Sequence, residues 1–514
     1  MSPISPRPRR AQAAGTGART AARQADVVVV GGGPAGATMG WALATRGVRV
    51  AILERTQFPR EKVCGDFVEP RGLKLLRAIG CLPRLEGSAR LPITHVAMFL
   101  EGQSAYRGRI PFYGSTPELP SHGYIVPRDE LDTELLASAG RAGATVFENC
   151  AASAVERRDG QVTIAARHQG QPVVFRARFV VGADGAHSIV ARSAELLRED
   201  PRYVAVSQRA YVDGVSVETG EAAFFFDRDL FPGYGWMFPM PGGRANVGVG
   251  ILAEARTRWG LTVPQIFQAF IDKLRAQHPG CRRARLSSKP LGGIVRTYGC
   301  AGPNHFDGGV LIGDAGCFVD PMTGEGITPA MESALLAAPV VTSALEQGRT
   351  DAACLSPYEA AFRGYFDPSM RYLDFCAAVM RNRHMRDFWL GVVARGCRKA
   401  QQDETFARMA GAGFGGLNVQ PLDILTRMWA KLVEDAGGES ARLWLDLVSG
   451  RAPAAPAWWH DVSAFSDGWW RSMFDDPAWH ASWTSDVLEK WTAVSRALSS
   501  TADPRLHGPL EQPA

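Results

Sequence analysis

Short runs of apolar residues alternate with glycine-rich turns along the first half of the chain. The clearest case is DVVVVGGGPAGATMGWALATRGVRVAILER, in which β-branched residues flank a segment with helical spacing. This pattern predicts a strand at Asp26–Val30, a helix at Pro34–Thr45 and a second strand at Val48–Leu53. A strand, a helix and a strand in this order form the βαβ unit of a parallel sheet.

Two later apolar runs end in the same way, at a turn that contains glycine and aspartate. Phe179–Val181 precedes GADG, and Val310–Ile312 precedes GDAG. Between them, Tyr203–Leu252 alternates apolar and polar residues, which is typical of antiparallel strands. From about residue 351 the apolar positions lie three and four apart, which predicts helices. We therefore predict an α/β fold with an interleaved antiparallel sheet and a C-terminal helical region.

The turn after the first strand has the spacing G-x-G-x-x-G, at Gly31, Gly33 and Gly36. The first glycine permits the turn, the second lets the backbone approach a pyrophosphate, and the third lets helix and strand pack closely. Glu54 ends the second strand, where an acidic side chain binds ribose hydroxyls. The motif predicts a Rossmann-like dinucleotide site that fits FAD and NAD equally.

The two later aspartate turns favour FAD. Asp184 and Gly185 follow one strand, and Gly313 and Asp314 follow the other. Asp314 is placed to bind ribityl hydroxyls. The next helix has N-terminal amides that suit the pyrimidine end of a flavin, where negative charge develops on reduction. The residues that open this helix are Pro321, Gly324, Gly326 and Ile327.

Together these motifs resemble the geranylgeranyl reductase family of FAD-dependent oxidoreductases, in the p-hydroxybenzoate hydroxylase superfamily with its group A flavin monooxygenase-like fold. The resemblance covers residues 25–341. Besides the glycine and aspartate turns, it is carried by FPREKVCGD (58–66), VPRDE (126–130) and PGYGWMFPMPGGRANVGVGI (232–251). It implies a Rossmann-like FAD-binding domain with an interleaved antiparallel-sheet substrate domain.

The resemblance also assigns roles in the FPREKVCGD segment. It implies that Cys64 and Gly65 lie near the isoalloxazine ring. Cys64 is a predicted catalytic residue, and a small apolar wall residue is the alternative. Phe67 departs from the family, which usually has glycine after the aspartate, and this indicates a reshaped cavity over the flavin. The expected basic contacts to FAD are Arg55, Arg60, Lys62 and Arg128.

The antiparallel region is expected to form the substrate wall. Its aromatic residues are candidates for contact with an apolar substrate, and core packing is the alternative because alternate strand residues face opposite sides. We select Tyr234 and Trp236 as pocket residues in the catalytic set. The wider candidate set adds Phe224, Phe225, Phe226, Phe231 and Phe238.

The predicted domains follow from these placements. Three FAD-binding segments enclose two substrate-domain segments, and a Trp-rich helical region follows. The boundaries are 1–24 (disordered basic tail), 25–95, 124–200 and 296–350 (FAD-binding), 96–123 and 201–295 (substrate domain), 351–500 (Trp-rich helices) and 501–514 (disordered tail).

Three functions are compatible with the motifs. The first is reduction of a double bond in an isoprenoid or polyketide-like molecule. The second is a monooxygenase that hydroxylates or epoxidises an apolar substrate in natural-product biosynthesis. The third is a non-redox cyclase with structural FAD. Because the chain has one dinucleotide motif, electrons come either from NAD(P)H that docks transiently or from a partner reductase.

Composition narrows the partners. The net charge of +5 is small for 514 residues and does not argue for nucleic acid as a partner, which would need a clustered basic face. Nine scattered cysteines without a CxxC pair argue against a metal site or disulfide framework and favour a cytoplasmic location. Ten of the thirteen tryptophans lie from Trp389 onward. They form either a helical cap with buried tryptophans or a surface in peripheral contact with a membrane.

Overall fold

The computed structural model describes residues 22–86, 90–110, 119–197, 199–216, 220–298, 302–414, 421–449 and 455–500. The predicted tails at 1–24 and 501–514 lie outside these residues, apart from 22–24. The strands in chain order are β1 (Arg23–Gln24), β2 (Val27–Val30), β3 (Val50–Leu53), β4 (Phe67–Val68), β5 (Pro92–Ile93), β6 (His95–Leu100), β7 (Gln103–Arg109), β8 (Gly123–Ile125), β9 (Thr145–Phe147), β10 (Cys150–Arg158), β11 (Gln161–His168), β12 (Gln171–Ala177), β13 (Phe179–Gly182), β14 (Val204–Asp213), β15 (Glu221–Phe226), β16 (Gly233–Met240), β17 (Arg244–Leu252), β18 (Arg285–Leu286), β19 (Leu291–Arg296), β20 (His305–Phe306) and β21 (Gly309–Leu311).

The helices occupy two regions, one interleaved with the strands and one after them. In chain order they are α1 (Pro34–Ala44), α2 (Pro70–Ile79), α3 (Leu82–Glu86), α4 (Arg128–Arg141), α5 (Ile189–Ser193), α6 (Ala253–Trp259), α7 (Val263–Gln277), α8 (Ile327–Glu346), α9 (Ala352–Met380), α10 (Arg386–Gln402), α11 (Glu404–Phe414), α12 (Pro421–Val448), α13 (Ala457–Asp475) and α14 (Pro477–Ser500). Short 3₁₀ turns lie at Gly185–His187, Pro201–Tyr203, Arg228–Leu230, Pro279–Cys281, Gly313–Gly316 and Arg383–Met385.

The predicted βαβ unit forms the centre of a six-stranded sheet with the order β20-β21-β13-β2-β3-β9. Its strands run parallel from β21 to β9, and their carboxyl ends therefore meet at one edge. The four valines of β2 alternate between two buried faces. Val27 and Val29 pack with α1, α4 and α8, whereas Val28 and Val30 pack against the sheet β1-β12-β11-β10. Burial on both faces explains the continuous β-branched run.

The predicted antiparallel region forms a second, eight-stranded sheet. Its order is β18-β14-β17-β16-β15-β6-β7, and β19 also pairs with β14. Met237 and Phe225 face α7, whereas Trp236 and Phe224 face the opposite side. The alternation along β15 and β16 therefore separates a core face from an aromatic face that is free to line a cavity. The small sheet β4-β8-β5 packs beside that aromatic face.

The C-terminal region is helical, as predicted, and α9 connects it to the nucleotide-binding part. The first half of α9 is buried in the core under the parallel sheet, through Leu355, Tyr358 and Phe362. Its second half leaves that core and packs against α14. Helices α10 and α11 cover β7, at the edge of the eight-stranded sheet, and its neighbour β6. The C-terminal helices therefore pack on both the nucleotide-binding part, through α9, and the eight-stranded sheet.

Helix α8 is long and apolar enough to cross a membrane, with a mean hydropathy of 1.2. In the fold, 72% of that apolar segment is buried. It packs against α1, α2 and α9 in the core below the parallel sheet. Its apolar composition therefore reflects a core position.

Candidate functional site

A cavity of about 600 Å³ lies at the edge where the parallel strands end. The turns after β2, β13 and β21 open into it, as expected for the carboxyl ends of parallel strands. The aromatic face of the eight-stranded sheet and one face of α9 form its other walls. The cavity therefore has a nucleotide part at the strand ends, an aromatic part at the sheet and an apolar part along α9.

Gly33 leaves an open space at the start of α1. A Cβ atom at this position would meet Arg60 Nη2 at 3.4 Å, and no other described atom outside the neighbouring backbone lies within 4 Å. A Cβ atom at Gly36 would lie 1.9 Å from the Gly31 carbonyl oxygen. Gly36 therefore permits close packing inside the protein, whereas Gly33 leaves room for a ligand at the helix N-terminus.

Glu54 fixes the shape of the glycine turn. Its Oε2 accepts a hydrogen bond from the Gly32 amide at 2.8 Å, and its Oε1 accepts one from Thr56 Oγ1 at 2.7 Å. The side chain is almost completely buried and lines the cavity. Because a carboxylate accepts about four hydrogen bonds, Glu54 retains capacity for a ligand hydroxyl.

Asp132 positions two of the predicted arginines. Its Oδ2 lies 3.0 Å from Arg60 Nη2, and Arg128 forms two parallel hydrogen bonds to the same carboxylate at 2.8 and 2.9 Å. Asp132 is fully buried, so these guanidinium groups compensate its charge. Arg55 and Lys62 line the cavity nearby, and both are more exposed than Arg128.

The two predicted aspartates differ in their contacts. Asp314 lines the cavity, and no described donor bonds to its carboxylate. Asp184 instead caps α5, because its Oδ1 accepts from Ser188 Oγ at 2.5 Å and its Oδ2 accepts from the Ile189 amide at 2.7 Å. Asp314 therefore offers a free acceptor to a ligand, whereas Asp184 mainly holds the turn that contains Gly185.

The loop before α8 brings a helix N-terminus to the cavity. Pro321, Gly324, Gly326 and Ile327 all line the wall here. The loop is tied to the eight-stranded sheet because the Tyr234 hydroxyl donates to the Thr323 carbonyl. The unpaired amides at a helix N-terminus stabilise negative charge, so this wall suits an electron-rich ring.

The segment Cys64–Asp66 is held against the eight-stranded sheet by a buried polar network. Asn246 Nδ2 donates to the Cys64 carbonyl at 2.9 Å and to Asp66 Oδ2 at 2.8 Å. Tyr211 donates to the same Oδ2 at 2.7 Å, and Trp236 Nε1 donates to Asn246 Oδ1 at 3.0 Å. The network links the substrate sheet to the loop that leaves the nucleotide part.

Burial changes the protonation of both side chains in this segment. Burial raises the pKa of the Cys64 thiol above its ordinary value, so the thiol keeps its proton at neutral pH. Burial also raises the pKa of Asp66 to about 6, and hydrogen bonds from Tyr211 and Asn246 oppose that rise. Asp66 Oδ1 is buried without a hydrogen-bond partner.

Aromatic side chains form the second part of the cavity. The rings of Phe67 and Phe238 lie 5.7 Å apart, and those of Phe224 and Phe238 lie 5.4 Å apart. Tyr234 and Trp236, the two selected residues, line the same part. The aromatic part consists of Phe67, Phe224, Phe226, Tyr234, Trp236 and Phe238.

Two members of the wider aromatic set lie elsewhere, and for them the alternative of core packing applies. Phe225 faces α7, where its ring lies 5.2 Å from that of Phe270. Phe231 follows a loop and stacks on Trp259 with the ring centroids 6.0 Å apart. The strand alternation explains Phe225, since its neighbours on both sides face the cavity.

One face of α9 forms the third, apolar part. Its cavity-lining residues recur at helical spacing, and the family resemblance ends before them. They are Phe366, Ser369, Met370, Leu373, Ala377 and Met380. The opposite wall includes Val206, Leu252 and Met322.

A family model described as FAD binding domain matches residues 24–363, about two thirds of the chain. A menaquinone reductase of Mycolicibacterium smegmatis is 35% identical over 332 residues, which are 62% of this chain and 77% of that protein. The chain belongs to the geranylgeranyl reductase family of FAD-dependent oxidoreductases. It is a flavoprotein enzyme.

Two further relatives agree with this placement. A digeranylgeranylglycerophospholipid reductase 2 of Methanopyrus kandleri is 31% identical over 362 residues, 68% of this chain and 84% of that protein. A geranylgeranyl bacteriochlorophyll reductase-like structure from Thermoplasma acidophilum has a TM-score of 0.62 and 24% identity. That match covers 72% of this chain and 92% of the other, and it confirms the predicted fold.

The cavity of this family member fits FAD. The open space at Gly33 leaves room for a diphosphate, and the free carboxylate of Asp314 provides an acceptor for hydroxyl groups. Of the predicted site residues, all line the cavity except Gly36 and Gly313. Those two serve packing, since a Cβ atom at Gly313 would meet Ala35 Cβ at 2.8 Å. Direct contact of each lining residue with FAD stays a prediction.

Some residues that support or line the site were missed by sequence reasoning. Tyr211 on β14 and Asn246 on β17 do not line the cavity themselves, but they hold Asp66 through hydrogen bonds. A second missed group is Glu69, Arg71 and Glu325. The α9 residues had a usable signal, because their spacing of three and four predicts one helical face.

The raised pKa of Asp66 predicts a pH-dependent stability. A carboxyl whose pKa is higher in the folded state contributes most below its unfolded pKa, and this contribution is lost as pH rises through the folded pKa. The rise in the pKa of Asp66 from 3.8 to about 6 corresponds to about 3 kcal/mol of the free energy of unfolding. Asp66→Asn removes the titration and suits the left-handed backbone at φ +64. As pH rises from about 4 to 7, we expect the melting temperature of the variant to increase relative to that of the parent protein. A constant difference over this range would contradict the assignment.

Proposed function

We propose that this protein reduces carbon–carbon double bonds in a long apolar, isoprenoid-like substrate. The observation that carries the proposal is the continuity of the cavity. Its nucleotide part leads directly into the aromatic part and then into the apolar part along α9. A bound FAD would therefore lie beside a mainly apolar space. The relatives named above are reductases of menaquinone and of a digeranylgeranyl lipid, which supports an isoprenoid chain.

Bound FAD, once reduced, supplies a hydride to one carbon of the double bond. The protein would hold it with the turn at Gly33, the carboxylate of Asp314 and the N-terminus of α8. The aromatic part would orient the double bond and exclude water from it. Cys64 carries a protonated thiol at the junction of the nucleotide and aromatic parts. The α9 face would accept the rest of the chain.

The number of dinucleotide-binding motifs in the sequence bears on the identity of the electron donor. The sequence has one dinucleotide motif, and that motif serves FAD. We propose NAD(P)H that docks transiently as the donor, and a partner reductase is the alternative. Anaerobic mixing with NADPH and NADH distinguishes the two, because direct reduction bleaches the flavin absorbance at once. A flavin that either nucleotide leaves oxidised would favour the partner protein.

A monooxygenase is the second candidate, and Phe67 favours it. Its ring packs on Phe238 and narrows the aromatic part, and a dry cavity protects oxygenated intermediates from water. Stopped-flow mixing of the reduced protein with oxygen tests this candidate. A transient absorbing species before reoxidation would support oxygenation, and direct slow reoxidation supports the reductase. Turnover by a protein whose flavin stays oxidised throughout would support a non-redox cyclase.

We also propose that the exposed apolar side chains of α12–α14 contact a membrane from the cytoplasmic side. Trp483 is buried, but several large apolar side chains on these helices are more than half exposed. They are Trp444, Trp459, Trp470, Phe474, Leu488 and Trp491. Such aromatic surfaces bind at the lipid–water interface.

Flotation with phospholipid vesicles tests the membrane contact. The double variant Trp470→Ser with Phe474→Ser should reduce the vesicle-bound fraction severalfold, because it removes two exposed rings from α13. The control Asp467→Ser with Arg471→Ser lies on the same helix, removes one exposed ion pair and keeps the net charge. Equal binding of both variants, or no binding by the parent protein, would contradict this proposal.

A further inference from the structure

Four carboxylates surround one guanidinium group beside the cavity. Glu69 and Arg71 stand at the start of α2, Asp320 and Glu325 stand in the loop before α8, and Glu332 lies on α8. Burial raises the pKa values of Glu69, Asp320 and Glu325 above their ordinary range. One guanidinium group cannot compensate four neighbouring carboxylates, and burial disfavours their charged forms, so protonation of part of this group is favoured.

Contacts within the group show which carboxylates are compensated. Arg71 bonds to Glu69 Oε1 at 2.7 Å and to Glu332 Oε1 at 3.1 Å. Tyr365 on α9 also donates to Glu332 Oε1 at 2.8 Å. Asp320 Oδ1 accepts a hydrogen bond from the Met322 amide at 2.7 Å, which stabilises the turn that contains Asp320. The direct ion pairs of Arg71 therefore go to Glu69 and Glu332.

Glu325 is the member without a cation partner among the described residues. Its Oε1 accepts the Thr328 amide at 2.8 Å, and no described donor bonds to its Oε2. Burial raises the pKa of Glu325 well above its ordinary value, the neighbouring Glu69 raises it further, and Arg71 opposes both. Glu325 is half-buried and lines the cavity between Gly324 and Gly326. Its carboxyl group, which has no cation partner among the described residues, therefore faces the cavity beside the N-terminus of α8.

The other acids near the junction are less suited to protonate a substrate. Asp66 is fully buried, and its carboxylate already accepts hydrogen bonds from Tyr211 and Asn246. The Cys64 thiol is a weak acid, and burial raises its pKa further. A double bond in an isoprenoid chain has no conjugated carbonyl, so its reduction needs an acid that can protonate carbon. A protonated carboxyl on the cavity wall meets this need better than a thiol.

We propose that Glu325 is the general acid that protonates the second carbon of the substrate double bond. The inference rests on the proposed reductase function. The π bond breaks, one carbon accepts a hydride from reduced FAD, and the other accepts the proton from the Glu325 carboxyl. Two new C–H bonds form, the cofactor is oxidised by two electrons, and Glu325 becomes a carboxylate. Water then restores its proton through the cavity.

The test follows the oxidative half-reaction, in which reduced flavin passes electrons to the substrate, without the natural electron donor. FAD-loaded protein is reduced with dithionite in the absence of oxygen and mixed with a detergent-dispersed digeranylgeranyl lipid, which has no quinone ring to accept the electrons, and flavin reoxidation is followed. Glu325→Gln should slow reoxidation about 100-fold or more, because a general acid contributes at least that factor. Glu325→Asp keeps an acidic proton and should recover part of the rate. The control is Glu346→Gln, an exposed substitution at the far end of α8.

Two further readouts separate a chemical role from a structural one. Infrared spectra at neutral pH should show the band of a protonated carboxylic acid that Glu325→Gln lacks. The parental reoxidation rate should fall as pH rises through the raised pKa of Glu325, and the slow rate of the Gln variant should lack this fall. Flavin content of each variant shows whether FAD is retained.

The outcomes distinguish failure of the role of Glu325 from failure of the proposed reductase function. Equal rates for parent and Glu325→Gln, with an unchanged infrared band, would overturn the role of Glu325 and leave the reductase intact. Equal slow rates for the Gln and Asp variants, with full flavin content, would also overturn it. If reduced parent protein passes no electrons to menaquinone or to a digeranylgeranyl lipid, the proposed function fails, and this inference fails with it.

Discussion

Replacing Gly33 with alanine is expected to give a folded protein that no longer retains FAD. The backbone of Gly33 has φ −71 and ψ −172, which alanine adopts without strain. The added methyl group would enter the space that the turn leaves open for a diphosphate. We expect the dissociation constant for FAD to rise at least about 100-fold, which is about 3 kcal/mol of binding free energy. Flavin absorbance after gel filtration and titration of the apoprotein measure the effect.

Gly140→Ala is the matched control for this substitution. Gly140 is exposed on α4, and nothing lies within 4 Å of a Cβ atom built there. Alanine should keep the flavin and leave stability unchanged or slightly improved, since it favours helix. A Gly33→Ala protein with normal FAD affinity would show that the diphosphate does not approach this turn, and the assignment of the nucleotide part would then be wrong.

Tyr234→Ala is expected to keep FAD bound and to lower kcat/KM about 100-fold. The ring lies between Phe224 and Phe226 in the aromatic part, at 5.9 and 6.0 Å between centroids. Its loss would widen the space that orients the substrate, and a displacement of about 1 Å costs about 100-fold in rate. The residues expected to hold the diphosphate do not contact Tyr234, so flavin content should stay near that of the parent. Steady-state kinetics and the flavin-to-protein ratio report the two quantities separately.

Tyr234→Phe distinguishes the ring from its hydroxyl group. The phenylalanine keeps the aromatic wall and removes the hydrogen bond to the Thr323 carbonyl. We expect its kcat/KM to lie within about tenfold of the parent value, because a single hydrogen bond contributes about 1 kcal/mol. Equal losses of kcat/KM in both variants would show that the effect comes from the hydrogen bond between Tyr234 and the loop before α8. Full activity of Tyr234→Ala would show that Tyr234 is not part of the substrate wall.

The local parts of the site could be predicted from sequence because their spacing follows from short-range geometry. The glycine turn requires a strand before it and a helix after it, and the structure places them at Val27–Val30 and Pro34–Ala44. The two aspartate turns follow β13 and β21 for the same reason. Parallel pairing then brings all three turns to one edge, where they line one cavity.

The parts that sequence reasoning missed depend on contacts between distant segments. Arg71 and Glu332 are 261 residues apart, and Asp66 and Tyr211 are 145 apart. No local pattern records such pairs, and buried polar residues in a sequence resemble exposed ones until the fold is known. The position of Phe225 could not be decided for a related reason, since the run of three phenylalanines shows alternation without showing which face meets the cavity.

Mass analysis of the product tests the central claim most directly. The FAD-loaded protein is reduced without oxygen and incubated with detergent-dispersed menaquinone. The lipid is then extracted, and its molecular mass is measured by mass spectrometry. After air has returned any quinol to the quinone, the proposed function predicts a menaquinone heavier by two hydrogen atoms for each side-chain double bond reduced, in an amount that matches the flavin oxidised. A product heavier by one oxygen atom, formed only after air is admitted, would contradict the reductase and establish a monooxygenase.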